Sequence, residues 1–138
     1  MIIVVDANII IAALLGSRGK IAILTSYNHM FYAPSFAVDE IKRYRQQICA
    51  KMNWTSEEFN IYLEALLVFI TLLDHQGYER YLEKSLSAIK QRDVKDADYI
   101  ACALLISADF IWTEDKDFSG QKLVDIKSTA QFIDENKQ

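Results

Sequence analysis

The sequence predicts an α/β domain, specifically a three-layer α/β/α sandwich around a mainly parallel sheet of about five strands. Short apolar runs of strand length alternate with longer segments whose apolar residues recur at the 3.6-residue period of a helix. The first run, Ile2–Val5, is entirely aliphatic, which is typical of a strand buried on both faces. Helices that alternate with such strands cover both faces of a parallel sheet, so this order of elements indicates three layers.

The composition indicates that residues 1–138 form one folded domain. The 138 residues are 51% hydrophobic and 25% charged, with one proline and four glycines, unlike the composition of a disordered chain. The two cysteines, Cys49 and Cys102, are far apart, and we expect both to be core thiols in a reducing compartment. The chain shows neither a basic leader nor an apolar run of membrane-spanning length, so we expect a cytoplasmic protein.

The first half of the chain predicts two strands and several helices. A short helix over Asn8–Leu15 and a glycine-containing loop follow the first strand, and Lys20–Tyr27 has a modest helical pattern. The aromatic run Phe31–Ala33, closed by Pro34, predicts a second strand. The apolar spacing then predicts one continuous helix over Phe36–Met52.

The second half continues the alternation. Thr55–Glu58 has the pattern of a capping box, which predicts a helix over Glu57–Leu67, and a third strand is predicted over Val68–Leu73. An amphipathic helix over Tyr78–Lys90 is followed by a charged loop over Gln91–Lys95. The remaining predicted elements are a helix over Asp96–Ala108, strands over Phe110–Thr113 and Leu123–Ile126, and a terminal helix that begins with the capping box Ser128–Gln131 and ends near Asp134.

Four acidic residues fall at corresponding places in this alternation. Asp6 follows the first strand, Glu40 follows the second, Asp96 begins a helix and Asp115 follows the fourth strand. Because the carboxyl ends of parallel strands lie at one edge of a sheet, we expect these carboxylates to converge there. Their mutual repulsion requires protons or cations, and oxygen-only ligands favour Mg²⁺ or Mn²⁺. Carboxylates that hold such ions are the usual apparatus for phosphodiester hydrolysis.

Each of these acids also has a purely structural explanation. Asp6 and Asp96 stand at good N-cap positions, Glu40 complements a helix dipole, and Asp115 lies in an acidic turn. The joint placement of all four, rather than any one of them, favours the metal site. The formal net charge is −4, so a nucleic-acid ligand has to be held by a local basic patch or through cations.

Four successive motifs span almost the whole chain: VVDANI at residues 4–9, VDEI around Glu40, DADYIACAL at residues 96–104 and WTEDKDF at residues 112–118. They resemble the motifs of the PIN-domain nucleases, the family of the VapC-like toxin ribonucleases. The resemblance implies metal-binding acids at Asp6, Glu40, Asp96 and Asp115, an auxiliary acid at Asp117, and supporting polar residues at Asn8 and Thr113.

The same resemblance implies a Mg²⁺- or Mn²⁺-dependent endoribonuclease, often a homodimer and often the toxin of a type II toxin–antitoxin pair. Asp93 and Asp98 crowd the third motif, and Asp93 could be mistaken for the ligand, although the spacing to the alanine-rich helix favours Asp96. Trp112 stands where the family more often has a small aliphatic residue. The alternative function is a catalytically weak PIN-like module that binds RNA or a protein.

A basic segment shares the predicted helix of Glu40. Lys42, Arg43 and Arg45 could guide a single RNA strand toward the acids, and Tyr44 among them could stack on a base. A charged face that is merely solvated is the alternative explanation for this segment.

Overall fold

The structure, a computed structural model, describes residues 1–89 and 94–136, and of residues 94, 117, 119 and 136 it describes the backbone only. Within these ranges five strands form one parallel sheet in the order three, two, one, four, five. This sheet and its flanking helices confirm the predicted three-layer fold. The strands are β1 (Ile2–Val5), β2 (Met30–Pro34), β3 (Ile70–Leu73), β4 (Phe110–Trp112) and β5 (Ile126–Lys127).

The helices connect these strands in the predicted alternation. Short 3₁₀ turns lie at Glu79–Tyr81 and Lys116–Gly120. The α-helices are α1 (Ala7–Leu14), α2 (Arg18–Leu24), α3 (Phe36–Arg43), α4 (Arg45–Met52), α5 (Ser56–Leu67), α6 (His75–Tyr78), α7 (Leu82–Ile89), α8 (Val94–Ile106) and α9 (Thr129–Asn136).

The centre of the sheet is β1, which pairs with β2 on one side and β4 on the other. Ile3, Val4 and Val5 are fully buried, as their aliphatic run predicts. The chain leaves β1 toward β2 and β3 and later returns to the opposite side for β4 and β5. The two sides therefore diverge between β1 and β4, and in open α/β sheets the crevice at such a point is the usual place for a ligand.

The unusual aromatic residue in the last motif is part of the core. Trp112 is fully buried, with its ring centroid 5.9 Å from that of Phe31 and 5.4 Å from that of Phe132. Its indole Nε1–H donates to the Thr129 hydroxyl at 2.9 Å, so its polar atom is satisfied. Cys102 is buried as predicted, but the prediction for Cys49 is wrong, because this thiol is only partly buried.

The predicted continuous helix over Phe36–Met52 is wrong, because the chain turns at Tyr44. Tyr44 has φ −95° and ψ 8°, and it ends α3 and precedes α4. The two halves have different packing partners: α3 lies against α1, whereas α4 lies against α5. A straight helix could not present both buried faces, so tertiary packing overrides the local periodicity.

Two strand boundaries also differ from prediction. Val68 donates its N–H to the carbonyl of Glu64, which continues the turns of α5, so β3 begins only at Ile70. The predicted strand over Leu123–Ile126 is displaced toward the C-terminus, because the Gln121 side chain accepts the N–H groups of residues 123 and 124. These two amides are therefore engaged locally before β5 begins.

The helix boundaries around the third motif exclude one structural explanation for Asp96. The predicted helix over Tyr78–Lys90 is divided into α6, a 3₁₀ turn and α7, and residues 90–93, including Asp93, lie outside the described part of the chain. Helix α8 already includes Val94, so Asp96 lies inside its first turn instead of preceding it. The N-cap explanation for Asp96 is therefore wrong. Both predicted capping boxes, at Thr55–Glu58 and Ser128–Gln131, are confirmed.

Among the helices of residues 1–89 and 94–136, no single one is long and apolar enough to cross a membrane. Helices α1 and α2 meet the length and composition criteria only as a pair bent by 118°.

Candidate functional site

A cleft of about 340 Å³ opens where β1 and β4 end. It lies at the point where the two sides of the sheet diverge, which is the position expected for a site in this kind of fold. The four acids predicted as metal ligands come from four different parts of the chain, and all of them line this cleft. The lining residues are Asp6, Ala7, Asn8, Ile11, Glu40, Tyr44, Lys95, Asp96, Tyr99 and Asp115.

Asp6 lies at the back of the cleft and is linked to the last motif through Thr113. Its side chain is only 9% exposed, and its Oδ2 accepts a 2.6 Å hydrogen bond from the Thr113 hydroxyl. The same hydroxyl oxygen accepts the N–H of Asp115 at 2.9 Å. Thr113, which is buried, therefore fixes both the carboxylate of Asp6 and the backbone that carries Asp115.

The electrostatic state of Asp6 reflects this environment. Burial raises the pKa of its carboxyl above the ordinary value of 3.8, and the charge of Asp115 adds to the rise. The hydrogen bond from Thr113 and the N–H groups of Asn8 and Ala7 lower the pKa but do not cancel the increase. A buried carboxylate beside a like charge is stabilised by a bound cation, so this environment favours one.

Helix α1 does not use Asp6 as a side-chain cap. No backbone N–H of the first turn lies at hydrogen-bonding distance and angle from the Asp6 carboxylate. The N–H groups of Asn8 and Ala7 are near enough to lower its pKa electrostatically. Instead, the N–H of Ala7, one of the unpaired donors at the start of the helix, donates to the hydroxyl of Tyr99 at 3.2 Å. The N-cap explanation for Asp6 is therefore not supported by the contacts.

Tyr99 is a site residue that the sequence reasoning did not select. Its hydroxyl donates to Oε1 of Glu40 at 3.2 Å, and its ring lies against Phe36 and Phe118. Burial, together with the charges of Asp6 and Glu40, raises the pKa of this phenol well above its usual range. The available signal was its spacing, because a residue three positions after Asp96 lies on the same helix face.

The basic segment divides around the break between α3 and α4. Tyr44 lines the cleft and is 48% exposed, and Lys42 and Arg43 are exposed on α3. Arg45 instead packs against α5, with its guanidinium 5.3 Å from the ring centroid of Phe59. Lys95, which the sequence reasoning did not select, also lines the cleft.

The acids of the WTEDKDF motif have different surroundings. Asp115 lines the cleft, whereas Glu114 accepts hydrogen bonds from the N–H and the hydroxyl of Thr129 at the start of α9. Burial acts to raise the pKa of Glu114, but these hydrogen bonds and the charge of Lys20 outweigh it and lower the pKa. The side chain of Asp117 lies outside the described part of the structure.

The donor chemistry of the cleft fits a hard divalent cation, since its acidic side chains supply only oxygen ligands. Their spacing is wider than that of a closed metal site. Among the side chains that the structure describes, no three acids, histidines or cysteines stand close enough together to hold one ion. Mg²⁺ keeps several water ligands and needs only one or two carboxylates, so this wider spacing is compatible with such an ion.

The parallel sheet with an acidic cleft at its carboxyl edge is an open α/β domain with its candidate site at the usual position for a ligand. The sequence matches the PIN domain over residues 4–132, and the chain therefore belongs to the PIN-domain family, whose members are generally nucleases that depend on divalent metal ions.

Among solved structures, the chain is similar to that of VapBC2 from Rickettsia felis bound to a DNA fragment from their promoter, with a TM-score of 0.73. The alignment covers 93% of this chain and 98% of that chain at 16% identity, a level at which the likeness concerns the fold alone. No curated protein matches the sequence.

Proposed function

We propose that this protein is a metal-dependent endoribonuclease that hydrolyses RNA phosphodiester bonds, with residues 1–138 forming a single nuclease domain. One observation carries the proposal: Asp6, Glu40, Asp96 and Asp115 line a single cleft in a chain of the PIN-domain family. Carboxylates from separate elements that share one cleft are costly unless a cation neutralises them. A bound metal ion supplies that positive charge and also attracts an anionic phosphate.

In this proposal the four acids hold Mg²⁺ or Mn²⁺, which when bound activates water and stabilises the charge that develops on the phosphate. Thr113 keeps the Asp6 carboxylate in one orientation through its 2.6 Å hydrogen bond. Asn8 is exposed at the cleft, where its amide could bind a phosphate or a ribose hydroxyl. We assign Asp117 as an auxiliary acid from its place in the motif.

RNA approaches an acidic cleft only if other groups attract it. Lys42 and Arg43 are exposed on α3, and Lys95 and Tyr44 line the cleft itself. We propose that these lysine and arginine side chains contact the RNA backbone and that the Tyr44 ring stacks on a base. Stacking on an unpaired base favours a single strand over a duplex. Arg45 has a smaller part in this scheme, because its guanidinium packs on Phe59.

We further propose that the protein is the toxin of a type II toxin–antitoxin pair and forms a homodimer. The support is the motif pattern together with the fold shared with VapBC2. Apolar surface for protein partners is present, because Tyr27 and Val68 are 84% and 79% exposed. A second apolar surface is a groove of about 340 Å³ between α1, α2, α4 and α5, lined by Leu14, Ile21, Met52, Trp54, Tyr62 and Leu66.

The experiment that tests the enzymatic proposal is RNA cleavage by the purified protein with chelator, Mg²⁺ or Mn²⁺. We expect cleavage with either ion and none in chelator. Glu40→Gln should abolish most of the activity, whereas Asp39→Asn should retain it, because Asp39 is an exposed acid of the same helix that does not line the cleft. This matched pair also excludes a contaminating nuclease.

Cleavage that persists in excess chelator would contradict the metal-dependent mechanism. RNA binding without cleavage under all three conditions would instead favour the PIN-like binding module.

A further inference from the structure

The hydroxyl of Tyr99 joins three elements beneath the acidic cleft. Tyr99 is carried by α8 and is 2% exposed; its hydroxyl lies 3.2 Å from the Ala7 nitrogen at the start of α1 and 3.2 Å from Oε1 of Glu40 on α3. A phenol has one proton and can accept through its oxygen. Because the Ala7 N–H donates to this oxygen, the single phenolic proton is directed to Glu40.

We propose that Tyr99 is a positioning residue of the nuclease site, which orients the Glu40 carboxylate toward the cleft and fixes the start of α1 beside Asp6. This inference rests on the proposed function, since it concerns the same site. Tyr99 does not need to touch the substrate in this role. It acts through Glu40, as the outer hydrogen-bonding partners of a metal ligand do.

The surroundings of the ring distinguish the hydroxyl from the rest of the side chain. The ring centroid of Tyr99 lies 5.6 Å from that of Phe36 and 6.2 Å from that of Phe118, both in edge-to-face geometry. These aromatic contacts fix the ring without the hydroxyl, so Tyr99→Phe should keep the packing and the fold. The substitution removes only the two hydrogen bonds of the hydroxyl, one of which is its bond to Glu40.

Another tyrosine provides a matched control. Tyr78 is also 2% exposed, and Asp98, two residues beyond Asp96 on α8, is close enough to raise the pKa of its phenol. Neither Tyr78 nor Asp98 lines the acidic cleft. Tyr78→Phe therefore removes the hydroxyl of another buried tyrosine beside the same helix, and the positioning role assigned to Tyr99 predicts no effect of this change on the site.

The experiment compares wild type, Tyr99→Phe, Glu40→Gln, their double variant and Tyr78→Phe. Mn²⁺ affinity is measured by calorimetry, RNA cleavage is measured with Mn²⁺, and thermal unfolding in chelator shows that each protein is folded at the assay temperature. We expect Tyr99→Phe to lower Mn²⁺ affinity or cleavage by about 10- to 100-fold. The double variant should lose no more than Glu40→Gln alone, and Tyr78→Phe should bind and cleave like wild type.

Several results would overturn the inference. Tyr99→Phe that melts at a lower temperature but retains wild-type Mn²⁺ affinity and cleavage would make Tyr99 a packing residue only. A double variant that is weaker than Glu40→Gln by the full Tyr99→Phe factor would show that Tyr99 does not act through Glu40. A wild type that neither binds Mn²⁺ nor cleaves RNA would overturn the proposed function and this inference with it.

Discussion

Thr113→Val removes the hydroxyl that holds the Asp6 carboxylate and leaves the side-chain shape almost unchanged. The hydroxyl donates to Oδ2 of Asp6 at 2.6 Å and accepts the Asp115 N–H at 2.9 Å. A hydrogen bond to a charged group contributes about 1.5–3 kcal/mol and an ordinary one about 1 kcal/mol. We therefore expect the metal-free variant to lose about 3 kcal/mol of unfolding free energy. For a domain of this size that is a fall in Tm of roughly 10 °C.

The assay is thermal unfolding in chelator, with Thr113→Ser as the control that retains the hydroxyl. The serine variant should lose only about 1 kcal/mol for the buried methyl group. Loss of the Thr113 hydrogen bond also raises the pKa of Asp6 further, because that bond is one of the influences that lower it. Once Asp6 is protonated the charge-assisted part of the bond is gone, so the deficit of the valine variant should shrink in acid. A valine variant that melts together with the serine variant would refute this reasoning.

Three further predictions concern charge. Burial raises the pKa of the Asp6 carboxyl above 3.8. Protonation of this group therefore stabilises the folded state at acid pH, and that stabilisation is lost as the pH rises through the folded-state pKa. The metal-free protein should melt at a higher temperature when a neutral solution is mildly acidified. Asp96→Asn removes one negative charge from the cleft, so it should abolish RNA cleavage and the rise in Tm that Mn²⁺ causes, while the Tm in chelator is preserved. A variant that still gains stability from Mn²⁺ would exclude Asp96 from the site. The double charge reversal Lys42→Glu and Arg43→Glu should weaken RNA binding and flatten its salt dependence, and an unchanged salt slope would assign these exposed residues to solubility.

The sequence by itself determined the features that depend on neighbouring residues. The aliphatic run Ile2–Val5 predicted a buried strand, of which Ile3, Val4 and Val5 are fully buried, and the capping boxes at Thr55–Glu58 and Ser128–Gln131 close within four residues. The meeting of the acids could also be anticipated. Strands of a parallel sheet end at a common edge. Once the alternation of strands and helices is predicted correctly, Asp6 after β1 and Asp115 after β4 are therefore expected to lie close together.

The tertiary structure alone decided how those residues are supported. The break at Tyr44 goes with the different packing partners of α3 and α4, and it separates Arg45, which begins α4 and packs against Phe59 of α5, from the exposed Lys42 and Arg43. The hydrogen bonds of Tyr99 to Glu40 and Ala7 join residues that are 59 and 92 positions apart. Periodicity and capping patterns depend on residues a few positions apart, whereas these long-range hydrogen bonds depend on how whole helices pack on the sheet. For that reason the sequence indicated the acids of the cleft but not the phenol that connects them.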